Sequence, residues 1–121
     1  MNESIQTYKD LIVWQRAMDL VGALYELTEK FPNSETYGLI SQMRRCAISI
    51  PSNIAEGRRR GSKKDYRQFL VIAYGSGAEL ETQIEIAKRL PFSKNLDYIK
   101  VDQLLLETMK MLNKMLSTLR S

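Results

Sequence analysis

The chain has 121 residues, 44% of them hydrophobic and 26% charged, with a formal net charge of +4 and a pI near 9.3. That length suits one domain with a core of modest size, and the composition excludes a disordered chain. The single cysteine, Cys46, excludes an internal disulfide. No apolar run approaches the ~18 residues of a membrane helix, and the polar start MNESIQTYKD has no secretory core, so a cytoplasmic protein is expected.

Phe31-Pro32-Asn33-Ser34, Gly57 to Ser62, and Leu90-Pro91-Phe92-Ser93 divide the chain into four segments, and each segment reads as helix. The expected bounds are about 10–30, 35–56, 63–89 and 97–119. In the first segment Leu11, Trp14, Met18, Val21 and Tyr25 form one apolar stripe. Val13, Ala17, Leu20, Leu24, Leu27 and Phe31 form a second stripe beside it. Asp10 is the expected N-cap and Pro32 the stop. The second segment starts near Ser34 or Glu35 and carries Leu39, Met43, Cys46, Ile50 and Ile54, with Gly57 as the expected left-handed residue past its end.

The third segment opens with Ser62-Lys63-Lys64-Asp65, which has capping-box spacing, and Tyr66, Phe69, Ala73, Leu80, Ile84 and Ala87 mark its core face, with base stacking the alternative role for Tyr66 and Phe69. The fourth carries Tyr98, Val101, Leu105, Thr108, Leu112, Met115 and Leu119 on a near-heptad seam. No segment alternates as a strand does. The expected fold is an all-α, up-down-up-down antiparallel four-helix bundle in a single domain. Two apolar stripes on the first helix, with Val71, Ile72 and Tyr74 off the main face of the third, exceed what one bundle hides. Either these helices sit deep in the core, or copies of the chain associate through the surplus.

Pro51 falls where the second helix is still running, so a kink or a change of register is expected there, with Ser49, Ser52 and Asn53 serving the freed backbone groups. Glu56 is either an ordinary solvated residue or turns inward to a cation such as Arg44 or Arg45. Then come Arg58, Arg59, Arg60, Lys63, Lys64 and Arg67, six cations offset only by Asp65. Arg44 and Arg45 are candidates to extend the same surface. The cluster reads either as a solvated loop or as a phosphate-binding patch, in which arginine forks and the amides of a helix start seat anions.

Catalytic chemistry is not legible. The chain has no histidine, which removes the commonest general base and metal ligand. Cys46 lies on an apolar stripe without an activating base. Gly75-Ser76-Gly77-Ala78 lies within a helix and suggests close approach of a neighbour rather than a nucleotide loop. Neither a catalytic constellation, a metal site nor a cofactor is expected.

The stretches DLIVWQRAMDL, FPNSETYGLISQMRRCAISIPSNIAEG and RQFLVIAYGSGAELETQ, with the cationic loop between the last two, resemble the bacterial 23S ribosomal RNA intervening-sequence family of four-helix bundles. SIPSNIAEG is the most distinctive part, and the fourth helix matches only in character. The resemblance implies a ring-like homopentamer. It also implies a polar signature at Asn53, Glu56, Gly57 and Glu79, with Arg44 and Arg45 beside it, and assigns no catalytic role. A more distant likeness is to the pentameric accessory proteins of diversity-generating retroelements, which bind nucleic acid and a reverse transcriptase. The expectation from all of this is a non-enzymatic oligomeric scaffold that binds RNA or DNA through its basic loop. The alternative is a protein-interaction module without nucleic acid.

Overall fold

The computed structural model describes residues 6–120, so the first five residues of the polar N-terminus lie outside it. Four helices account for most of the described chain: α1 (Ile12–Thr28), α2 (Leu39–Arg60), α3 (Lys63–Ala87) and α4 (Ile99–Thr118). No strand occurs among the described residues, and the protein is all-α.

Each helix packs on two others: α1 on α2 and α4, α3 on α2 and α4. The contacts run antiparallel across every pair. Thr28 meets Arg44 while Tyr8 meets Arg59, Ser49 meets Ser76, Lys88 meets Asp102, and Arg16 meets Glu107. The order is therefore up, down, up, down around a square. The link between α2 and α3 is only Gly61 and Ser62, so these two long helices must fold back on each other.

The centre holds Leu20, Leu24, Met43, Ile50, Ile54, Leu70, Leu80, Ile84 and Leu112, all fully buried. On α1 the stripe from Val13 to Leu27 faces this core. The other stripe stays at the surface, with Met18 45% exposed and Trp14 and Val21 half-buried. Tyr98, Val101, Leu105, Thr108 and Leu112 of the α4 seam are buried as expected. Tyr66 and Phe69, assigned to the core face of α3, are only half-buried.

Several boundaries differ from expectation for local reasons. Asp10 does not cap α1. It closes a separate 3-10 turn, Tyr8–Asp10, where its carboxylate accepts from the amides of Gln6 and Thr7. Asn33–Glu35 forms another such turn, and α2 begins later, at Leu39.

Gly57 does not end α2. It lies inside the helix, where an added Cβ would come within 2.7 Å of Phe69 Cβ. Its lack of a side chain serves the close approach of α3. The helix runs to Arg60, and Gly61, with φ of +86°, takes the left-handed position. Ser62 then caps α3 by accepting from the Asp65 amide at 3.0 Å. Pro51 is buried and α2 is uninterrupted through it. Asn53 does not serve the carbonyl that Pro51 deprives of a donor, that of Ala47. Its amide donates to the Ser49 carbonyl (2.8 Å) and to Ser49 Oγ (2.9 Å).

Candidate nucleic-acid interface

The hairpin between α2 and α3 gathers positive charge at one corner of the bundle, because a two-residue link leaves the last turn of one helix beside the first turn of the next. Arg58, Arg59, Lys63 and Lys64 are exposed, and Arg67 is half-buried. Arg59 lies 5.6 Å from the Tyr8 ring centroid. Arg60 is committed locally: it pairs with Glu56 at 3.0 Å, one turn back, and lies 4.9 Å over the Phe69 ring. Among the described residues, the other five cations have no carboxylate partner. Arg67 Nε is buried and has no hydrogen-bond acceptor.

An open groove of about 780 Å³ adjoins this corner. Lys63, Lys64, Arg67 and Gln68 line its polar side, and Phe69, Val71, Ile72 and Leu119 its apolar side. Leu119, expected on the core seam, packs against the core and also borders this groove, while Gln68 is a residue the sequence reading passes over. The spacing carried the signal: Lys64-Gln68-Ile72 and Lys63-Arg67-Val71 each climb α3 in steps of four and form adjacent rows on one face.

Arg44 and Arg45 are not brought to this corner. They precede Arg58 by 14 and 13 positions, about 20 Å along a helix rising 1.5 Å per residue. Arg44 is spent on the end of α1. Its Nε donates to Thr28 Oγ1 at 2.9 Å, and its guanidinium stacks 4.1 Å over the Tyr25 ring. Arg45 is exposed on a different face. It lines a polar cleft of about 350 Å³ with Gln42, Cys46, Ser49, Ser76 and Glu79.

The expected polar signature divides along the α2–α3 seam. Asn53 orients Ser49, whose hydroxyl lies 2.8 Å from that of Ser76 on α3. Gly57 admits Phe69 and Tyr66. Glu56 is exposed and paired with Arg60, so it does not turn inward. Glu79 is also exposed and stands beside Cys46. Burial pushes the Cys46 thiol above its ordinary range, and the Glu79 carboxylate pushes the same way. A raised thiol is a poor nucleophile. Among the described residues no group of three His, Cys, Asp or Glu side chains could hold a metal ion.

A second surface lies on α1 and α2, where Trp14, Met18, Val21, Ile48 and Pro51 border a shallow apolar depression with Tyr8 at its edge. Tyr8 and Trp14 meet edge to face, with ring centroids 5.4 Å apart.

A small antiparallel four-helix bundle with an arginine-rich hairpin corner is the class of protein that fold and site define. Within that class, the model of the 23S rRNA-intervening sequence protein family matches residues 9–114, and the chain belongs to this family. The match extends into α4, further than the resemblance read from the first three helices. No curated protein sequence matches the chain.

Proposed function

We propose that the chain is a non-enzymatic, self-assembling scaffold that holds nucleic acid by its phosphates. The observation carrying this reading is the α2–α3 corner, where Arg58, Arg59, Lys63, Lys64 and Arg67 stand together without carboxylate partners among the described residues. Cations without a carboxylate beside them are available to phosphate, and arginine's planar fork suits phosphate oxygens. Such contacts follow the backbone and not the bases, so sequence preference is weak.

Self-assembly is the other half of the proposal. The exposed face of Trp14, Met18 and Ile48 is apolar enough to be covered by another copy. The assembly proposed is a cytoplasmic homopentamer, as the family resemblance suggests. Repeating the corner around a symmetry axis multiplies weak contacts into useful avidity.

Reversing charge at the corner tests this function. Arg58→Glu with Arg59→Glu and Lys63→Glu is expected to abolish binding to RNA and to duplex DNA in a filter assay while the circular dichroism spectrum is kept. Unchanged binding would contradict the reading. The same apolar face also favours a second reading, a protein-interaction module in which the corner meets an acidic partner. A pull-down whose bound protein survives nuclease treatment, from a chain that retains no RNA, would select it.

A further inference from the structure

The groove beside the basic corner offers more than charge. Along the exposed face of α3 the side chains change from Lys63, Lys64 and Arg67 to Val71 and Ile72 within about two and a half turns. Val71 and Ile72 are 46% and 50% exposed. Phe69 and Leu119 complete the apolar wall. Phosphate contacts alone need no such wall. A duplex presents its phosphates outward and keeps its base faces stacked inside, so it leaves these side chains against water. An unpaired strand offers phosphate oxygens on one side and apolar base faces on the other.

We infer that this groove selects single-stranded nucleic acid over duplex, with Lys63, Lys64 and Arg67 taking the phosphates and Val71, Ile72 and Phe69 covering unpaired bases. The inference rests on the nucleic-acid reading above and adds the substrate class. Charge complementarity favours a polyanion in the groove, because Lys63, Lys64 and Arg67 have no carboxylate partner among the described residues. The position of Phe69 ties groove and hairpin together, since Arg60 of the hairpin stacks on the same ring.

Fluorescence anisotropy with three probes of equal phosphate number tests it: an unstructured RNA strand, the same strand built from abasic residues, and a duplex. The native chain is expected to bind the RNA strand at least ~10-fold tighter than either other probe, the equivalent of one covered base. Val71→Ser with Ile72→Ser, both at exposed positions, should remove that preference and leave duplex binding unchanged. Equal affinity for all three probes, with the double variant neutral, overturns the inference and leaves the phosphate reading standing. No binding to any probe removes both. If a leucine–glutamate amphipathic peptide binds and loses affinity in the double variant while RNA does not, the groove belongs to an acidic protein and the inference is likewise overturned.

Discussion

Single residues set how closely the helices approach, α2 to α3 at Gly57 and α3 to α4 at Gly77, and glycine substitutions measure it. Gly57→Ala adds a methyl that must push against Phe69 Cβ, an atom fixed to the α3 backbone. The variant should lose ~1–3 kcal/mol, read as a lower thermal midpoint. At Gly77 the added methyl meets the thioether of Met109, a flexible side chain that can move, so the loss should be smaller. Gly75 has nothing within reach. Gly75→Ala should raise the midpoint, because alanine is the better helix former by up to ~1 kcal/mol. A midpoint order other than Gly75→Ala, then Gly77→Ala, then Gly57→Ala would refute this packing. Cys46 belongs at the same scale. It is 8% exposed, and burial raises its pKa. Alkylation in the native state should therefore be slow at mildly alkaline pH and become fast on adding denaturant; equal rates in the two states would contradict the burial. Sequence already pointed to this packing role, because Cys46 shares a stripe with Met43 and Ile50. The separate fates of Arg44 and Arg45 were not legible. Adjacent helix residues point about 100° apart, and only the tertiary structure shows that one faces the end of α1 and the other the α2–α3 cleft.

At the scale of elements, existence was readable, facing mostly so, and among the ends the Ser62 cap that opens α3 was readable while the bounds of α1 and α2 were not. Apolar spacing located all four helices and the buried seam of α4. The hairpin was misplaced because Gly57 and Gly61 look alike in sequence. One is glycine for space and the other for its left-handed backbone. The junction of α3 with α4 carries a pH-dependent clamp. Lys88 donates to Asp102 at 2.8 Å and to Glu85 at 3.2 Å, and the Asp102 hydrogen bond is the main reason its pKa is raised above the ordinary 10.5. Its contribution is therefore complete below that ordinary value and is lost as pH rises through the raised one. Tyr66 and Tyr98, raised mainly by burial, lose their contribution in the same direction. Urea titrations should show stability falling above about pH 10. Asp102→Asn should be less stable than the native chain near neutrality, and the gap should close in strong alkali as Lys88 discharges. A gap that stays constant with pH would assign Asp102 no role in the clamp.

For the whole molecule, the two surfaces define two separable expectations. The face of Trp14, Met18 and Ile48 should bring copies together. Sedimentation equilibrium should then give a mass several times the 14.0 kDa of one chain, falling toward it for Met18→Glu with Ile48→Glu. A native chain that sediments as a monomer would rule the assembly out. The basic corner should grip phosphate whatever the subunit number, and its salt dependence tests the proposed function most directly. Each phosphate contact on a single strand contributes about −0.7 to the slope of log affinity against log salt, so the five corner cations without a carboxylate partner among the described residues correspond to a slope near −3.5. A slope of that size or steeper, reduced in Arg58→Ala with Arg59→Ala, is the predicted result. A flat line, or a steep one indifferent to those two arginines, would contradict it.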